Sequence, residues 1–423
     1  MNGGTISNAN RKGILRKLGY VASMIFLSAS LVSCTLGNTD INSTPEADPD
    51  EVLFTVKGVS PKENKNSLTM SIAGDYIIYD SMYANANQLA GGNGYDFSPM
   101  VEKLGKFTEN CDLNYYNQET ILAGSKLGVS SYPAFVSPEE AGDAMINLGY
   151  NLVTTATNHA LDGGEDGILS SCEYWSDKEN VFMTGTFTSQ KSRDEAVVRE
   201  CNGITYSMLN YTYSTNGIPV PEGKNYLVNI WPTDLAINDP QSDPEYQAYK
   251  NQVKKDIDAV RDKVDFLIVC IHAGVEYAQD ESAYQYDMAK FLSENGVNLV
   301  IGTHPHVIEP AEYIGDTLVY YSMGNLLCAQ MQDEYYNKVT SVLATLTVRK
   351  ENVNGETKII FEDLNHELMY CYYNQATWSG YKVIPFSDNE IKNYLPEYKD
   401  VYETYKDIFL KKDSSLPFAD CAK

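Results

Sequence analysis

Four of the five histidines in this chain close apolar runs: His159 in TATNHALDGG, His272 in LIVCIHAGVEY, and His304 with His306 in LVIGTHPHVIEP. Short apolar, β-branched runs that stop at polar or glycine-rich residues read as buried strands ending in loops. In α/β proteins ligands collect at such loops, because the sheet fixes side chains that the loop leaves open. A lone histidine placed this way reads as a hydrogen-bonded structural residue. Four at strand ends, two of them spaced His-Pro-His, read as a metal site, since neutral imidazole is the commonest nitrogen ligand of transition metals. The densest stretch is Asn151 to Gly167, NLVTTATNHALDGGEDG, where Leu152–Ala156 is the strand and the loop carries Asn158, His159 and Asp162.

The rest of the chain alternates strands with helices. Val52–Lys57 reads as an edge strand and Leu68–Ala73 as a better one, ending at Gly74-Asp75, where a carboxylate is placed to hold a cation. A loop with Gly91, Gly92 and Gly94 follows, then Ser98-Pro99 opens a helix over Met100–Glu109. Strand Asp112–Tyr116 leads to Glu119, a second strand-end acid that reads equally as a solvated loop residue. Ser137-Pro138-Glu139-Glu140 has the form of a capping box for a helix to Leu148, closed by Gly149. Asp162 reads either as the cap of the next helix or as a neighbour of the site.

Short strands are expected around Val181–Thr184, Glu195–Arg199 and Ile204–Tyr211, and a helix within Asp243–Val264. Phe266–Ile271, almost wholly apolar, is a strand covered on both faces and ends at His272. Helix Ala283–Glu294 and strand Val297–Ile301 deliver His304-Pro305-His306; residues two apart in an extended segment face the same way. Leu318–Tyr321 ends in Ser322-Met323-Gly324-Asn325, with Gly324 allowing close approach of backbone to a ligand. Val339–Arg349 and Glu356–Leu364 form a hairpin, Glu367–Tyr373 adds a third strand, and the polar chain from Ile391 reads as a helical surface tail.

Composition narrows the partners. The 43% apolar content supports a real core, while 57 acidic against 32 basic residues give a formal net charge of −25. Such a surface repels nucleic acid and other polyanions except where a metal or a basic pocket intervenes. The first residues carry Arg11, Lys12, Arg16 and Lys17 and no acid, then the apolar run Leu18–Val32, then Leu31-Val32-Ser33-Cys34. This resembles a bacterial lipoprotein signal, which implies a diacylated Cys34 and anchorage to the outer face of the cytoplasmic membrane. The resulting segmentation is a signal peptide with lipobox over 1–34, a disordered tether over 35–50, one large domain over 51–387 and a helical tail over 388–423. The remaining cysteines form no CxxC pair and suggest neither a disulfide framework nor a zinc finger.

Asp75, Glu119, Asn158, His159, His272, His304 and His306 together offer carboxylates, an amide oxygen and imidazoles. That set suits one or two divalent ions of the Mn, Fe or Zn type better than Mg alone. Hydrolysis is the natural reaction class, because such ions polarise phosphoryl or carbonyl oxygens and activate water. In order along the chain, IAGD (Ile72–Asp75), YDFSP (Tyr95–Pro99), NQET (Asn117–Thr120), TATNHALDGGEDG, HAGVEY (His272–Tyr277), GTHPHV (Gly302–Val307) and SMGN (Ser322–Asn325) follow one another from about residue 68 to 327. This series resembles the capsule protein CapA family of poly-γ-glutamate synthesis, and YKVIP (Tyr381–Pro385) is similar to that family's late segment.

The resemblance implies an α/β fold, a four-layer α-β-β-α sandwich of the calcineurin-like metallophosphoesterase type, with the hairpin and the tail at its C-terminal end. By the same resemblance Asp75 looks like a first-metal ligand, Glu119 the bridging carboxylate and Asn158 a second-metal ligand. His272, His304 and His306 complete the set, His159 looks like the general acid, and Glu276 and Asn325 support the ligands. Two departures stand out. Ile77 occupies the place of the histidine in the phosphoesterase Asp-x-His pattern, and Gln118 replaces an apolar residue before Glu119. The implied partners are an anionic polymer such as poly-γ-glutamate, the membrane-bound polymer ligase complex, and the membrane itself through the lipid anchor. Two functions remain open: a metal-dependent hydrolase or transferase acting on a surface polymer, and a scaffold lipoprotein whose metal grips polymer carboxylates without turnover.

Overall fold

Strands β1 (Phe54–Thr55), β6 (Arg199–Cys201), β7 (Ile204–Thr212), β8 (Phe266–His272), β9 (Leu299–Thr303), β11 (Thr317–Tyr320) and β10 (Ala311–Ile314) lie side by side in that order in one mixed sheet. A second mixed sheet runs β15 (Ser379–Pro385), β14 (Glu356–Asn374), β13 (Thr340–Val353), β2 (Ser67–Tyr76), β3 (Leu113–Gln118), β4 (Leu152–Thr154), β5 (Phe182–Thr184), with β12 (Asn325–Leu327) also paired to β2. The computed structural model describes residues 54–55, 66–230, 239–331, 336–353 and 355–423. The expected signal segment 1–34 with Cys34, the tether 35–50 and most of the Val52–Lys57 strand lie outside the described residues; Phe54–Thr55 do pair at a sheet edge.

The pattern of β8 explains the layering. Phe266, Ile268 and Cys270 point to one apolar cluster and Leu267, Val269 and Ile271 to another, so this sheet is covered on both faces. The first cluster is shared with Met70, Ile72 and Tyr115 of the second sheet, so it joins the two sheets. The second receives Val253, Ile257 and Val260 from helix Pro244–Val260, and Met288, Ala289 and Leu292 from helix Ala283–Glu294. Each of these side chains except Ala289 contributes about 1.5–3 kcal/mol on burial. Asp243 starts the first of these helices by accepting from the amides of Glu245 and Tyr246, and Ser282 forms a capping box with Gln285 at the second. Among the described residues, no helix is long and apolar enough to cross a membrane.

Residues 321–324 cross from the first sheet to the second, and two glycines make room for them. A Cβ on Gly302 would lie 1.9 Å from the Tyr321 carbonyl oxygen, and one on Gly74 would lie 2.0 Å from that of Gly324. The amide of Asp75 instead donates to Gly324 O at 3.0 Å, and that of Met323 to Gly302 O at 3.2 Å. Gly324 itself, at φ 74°, presses on the backbone of Thr340 rather than standing open to a ligand.

Several local expectations change. Strand β2 continues through Asp75 and Tyr76, because β12 takes up its pairing where β13 leaves off. Helix Asp80–Leu89 occupies the chain expected to be a loop, and the glycines come after its end. Asp96, not Ser98, accepts the first amide of the next helical stretch, which is broken by a 3-10 turn. The capping box at Ser137 does not form: its hydroxyl donates to Thr120 and the Glu139 carboxylate binds Ser125, although Gly149 does turn the chain at φ 94°. Glu367–Tyr373 is the continuation of β14, and β15 is the third strand. The tail is no solvated appendage, since helix Tyr398–Phe409 buries Tyr398, Val401, Tyr402, Tyr405 and Phe409 in the main core. His366 Nδ1 donates to Pro417 O and its Nε2 accepts from the Tyr320 hydroxyl, holding that tail to both sheets. The seven cysteines from Cys111 to Cys421 are free, and all but Cys111 and Cys421 are buried.

Gly74→Ala and Gly302→Ala will each lower the unfolding free energy by more than about 3 kcal/mol, because backbone must move. Gly91→Ala, with nothing within 4 Å of the added carbon, will cost only the left-handed conformation, about 1–2 kcal/mol. Urea unfolding of the three variants checks this; equal losses would show that the crossing segment imposes no constraint.

Candidate metal centre

The chain ends of β2, β3, β8 and β9 bring their last side chains together. Asp75 lies near the end of β2, in register between Asn117 of β3 and Asn325 of β12. Glu119 follows β3, His272 closes β8, and His304 follows β9. Asp75, Glu119 and His272 are buried and offer ligand atoms within 4.8 Å of one another, a group that could hold a metal ion. His306 joins them, with Nδ1 3.9 Å from Asp75 Oδ2 and Nε2 3.7 Å from Glu119 Oε1. Asn158 Oδ1 lies 2.9 Å from His272 Nε2. The His304 ring packs between Tyr213 and His272, with centroids 4.5 and 4.9 Å away.

The His-Pro-His segment reaches this place differently from the expected extended backbone. His304 and His306 have φ of 99° and 61°, a left-handed region that bulky residues rarely adopt. The imidazoles therefore meet through a strained turn and not through strand alternation. In this turn the amide of His304 donates to Asp75 Oδ2 at 3.0 Å, joining the two sheets through a ligand-type carboxylate.

Polar neighbours that sequence reasoning missed orient the set. Asn117 Nδ2 donates to Asp75 Oδ1 at 2.7 Å and lies 3.3 Å from His272 Nδ1, while its oxygen accepts from Thr154. Thr303 Oγ1 lies 2.9 Å from His272 Nδ1. Asn117 stood inside the NQET motif, but only the register across β2 and β3 reveals its role. Gln118, the polar departure, is satisfied by Thr120 O and the Tyr116 hydroxyl. Ile77, at the histidine position of the phosphoesterase pattern, is buried and lines the cavity described next.

A cavity of about 600 Å³ opens beside Glu119 and His306 and is also lined by Asn158, His159, Asp162, Glu276, Tyr277 and Lys338. At its wall His159 Nδ1 lies 2.7 Å from Asp162 Oδ2, and that oxygen also accepts from the Phe135 amide. Asp162 is thus a partner of His159 and not the helix cap, a place taken by Gly163. Asn216, which carried no signal in the sequence, bonds both Asn158 and His159 at 3.3 Å. Asn325 Oδ1 lies 3.0 Å from His306 Nδ1. Cys34 falls outside the described residues.

Nitrogen and oxygen donors left without partners test whether a cation fits. Glu119 is 1% exposed and His304 0%, and neither carboxylate oxygen nor ring nitrogen of either has a hydrogen-bond partner among the described residues. The Asp75 carboxyl is close enough to share a proton with Glu119, but once both ionise it only repels. Buried polar groups of this kind are otherwise paired, so the donor set fits a metal ion. Burial raises Asp75 to about 7, against which the His304 amide and Asn117 work, and it raises Glu119 well above the usual range with Asp75 adding to it. Burial also lowers His272 and His304 well below 6.5, and His306 to about 4. The imidazoles are therefore neutral, as ligands must be, and a cation displaces protons from the carboxyls.

These shifts set opposite slopes for metal-free protein. Between about pH 4 and 6.5 the unfolded imidazoles take up protons that the folded ones refuse, which destabilises as the pH falls, while folded carboxyls keep protons that unfolded ones have lost, which works against that loss. Above 6.5 the imidazoles are neutral in both states, while folded carboxyls still hold protons that unfolded ones have lost, so stability falls as pH rises through about 7. Each titrating group supplies about 1.4 kcal/mol per pH unit. Chelator-treated protein will be less stable at pH 8 than at 6.5 by urea unfolding, and a Glu119→Gln variant will show a smaller fall; an unchanged fall refutes the assignment.

The model of the family described as bacterial capsule synthesis protein PGA_cap matches residues 69–330. The chain is 25% identical over 193 residues to the PGA biosynthesis protein CapA of Bacillus subtilis, covering 45% of this chain and 46% of that protein. It is 23% identical over 281 residues to the capsule biosynthesis protein CapA of Bacillus anthracis, covering 65% and 63%. The chain thus spans less than two thirds of the length of these relatives. Among solved structures it is similar to GAP50, the anchor in the inner membrane complex of Plasmodium, at TM-score 0.31 and 12% identity, covering 71% of this chain and 90% of that one. With its strand-end motifs inside the matched span, the chain belongs to the bacterial capsule synthesis protein PGA_cap family.

Proposed function

We propose that this protein acts in the synthesis, export or retention of poly-γ-glutamate or a similar anionic capsule polymer, through a divalent-metal site of hydrolase type. The family description and the naming of the Bacillus subtilis relative as a PGA biosynthesis protein support the polymer. The observation that carries the site is the orphaned pair Glu119 and His304, buried beside Asp75 and His272. Asp75, Glu119, Asn158, His272, His304 and His306 would hold one or two ions. A bound ion would supply polarisation of a carbonyl or phosphoryl oxygen and a more acidic water.

The fold is read as the four-layer α-β-β-α sandwich of metallophosphoesterases, a reading supported by two mixed sheets sharing one core with helices on an outer face. Ile77 leaves that pattern one histidine short. His159 supports turnover over simple gripping. Asp162 holds its Nδ1, so the nitrogen free to exchange a proton with a substrate is Nε2. In hydrolysis, water adds across the bond: its oxygen goes to the acyl or phosphoryl centre, and the departing nitrogen or oxygen takes a proton, which His159 would give. The polar entrance offers three acids, Glu119, Asp162 and Glu276, so an anionic chain would approach only with a cation in place. The acylated Cys34 would keep the site at the outer face of the cytoplasmic membrane, beside the polymer ligase complex.

Elemental analysis of purified protein will find a divalent metal that is lost on replacing His304 and His306 together. Metal-loaded protein will cleave γ-linked glutamate oligomers, and His159→Ala will lower kcat by about 10²–10⁴ while keeping its metal. Binding of the polymer with no cleavage product under any metal would instead establish the scaffold reading.

A further inference from the structure

Lys338 is the only lysine or arginine among the described residues that line the cavity, which it shares with Glu119, His159, Glu276 and His306. In a chain of net charge −25 a lysine facing three carboxylates of one cavity would ordinarily neutralise one of them. Lys338 does not: its ammonium lies 4.5 Å over the ring of Tyr277, and among the described residues it has no carboxylate at ion-pair distance. A solvated lysine would wander, yet both ends of this one are fixed. Its carbonyl accepts from Asn325 Nδ2 at 2.8 Å and from Cys328 Sγ at 3.3 Å. Asn325 is the same side chain whose oxygen meets His306 Nδ1. Tyr277, at φ 66° with its N–H donating to Pro305 O at 2.8 Å, packs its ring 6.0 Å from that of His306. Two separate links thus tie Lys338 to the candidate ligand His306, one from its backbone carbonyl through Asn325 and one from its ammonium through Tyr277.

We propose that Lys338 is the carboxylate-recognition residue of this cavity, making the site select substrates that bear a free carboxylate near the group engaged at the centre. This rests on the function proposed above and names its substrate class. In a γ-linked glutamate chain every amide is flanked by free α-carboxylates, whereas the acyl carbon and the amide nitrogen are neutral. An ammonium is a compact point charge that suits one carboxylate without demanding a planar fork, and stacking on Tyr277 holds it at low entropic cost. The centre would take the amide, and Lys338 the carboxylate beside it.

The test measures binding of a γ-linked glutamate oligomer and of the same oligomer with its α-carboxylates converted to carboxamides, by calorimetry on metal-loaded full-length protein. Wild type will prefer the acid by about ten-fold or more, the size of a charge-assisted hydrogen bond. Lys338→Gln will erase the preference with metal content unchanged, and Lys338→Arg will keep most of it. The wild-type preference will also shrink between about 20 mM and about 500 mM salt, a readout that does not depend on any variant folding. Equal preference in wild type and Lys338→Gln, or a salt-independent preference, overturns the assignment and leaves the proposed function standing. If wild type binds neither oligomer, the proposed function fails and the assignment with it.

Discussion

The Glu119 carboxylate is the point on which the molecule turns. It is buried, has no hydrogen-bond partner once it and Asp75 are both ionised, and has as its nearest charged neighbours other acids. Asp75 beside it is partly compensated by Asn117 and by the amide of His304. Nothing of the kind serves Glu119. A buried ionised carboxylate costs several kcal/mol when unpaired, so the chain either keeps that proton or takes a cation. Three imidazoles too deeply buried to be charged cannot fill the place of that cation, but they can help to hold it.

Such a concentration of unsatisfied groups persists only where the backbone around it has no alternative. The crossing at residues 321–324 packs carbonyls where side chains of Gly74 and Gly302 would be, so β2 and β9 are clamped at the positions from which Asp75 and His304 project. The turn at His304 and His306 stores left-handed strain that the surrounding packing outweighs. Asn117 and Asn325, on either side of Asp75 across the sheet, hand the constraint on to His272 and His306. Rigidity here comes from two sheets agreeing on one set of side chains.

How much of this was legible in the residue order follows from the range of the forces involved. Helix Ala283–Glu294 was readable to the residue because the Asn295-Gly296 stop that closes it is local. Strand β8 was readable because both its faces are apolar. Helix Asp80–Leu89 was hidden by its mean polarity and by the glycines after it, and its burial of Met82 and Ala86 depends on distant strands. The Ser137 box failed because Thr120, seventeen positions earlier, offered that hydroxyl a buried partner. In the site, histidines at strand ends declared themselves, whereas Asn117, Asn216 and Lys338 acquire their places only from registers and loops that meet between the two sheets. The tail was misjudged because its buried tyrosines count as polar in a composition and as core in a packed helix.

The free thiols carry a consequence for how such a chain matures. Cys172, Cys201, Cys270, Cys328 and Cys371 are buried, and burial raises Cys172 to about 11, Cys201 to about 12 and Cys270 above its ordinary range. Thiolate, the form that oxidants attack, is therefore scarce at Cys172, Cys201 and Cys270 and poorly reached there. A polypeptide built this way keeps those sulfurs out of reach of thiol reagents for as long as it stays folded. Its covalent integrity then depends on folding fast enough to hide the sulfur before it reacts.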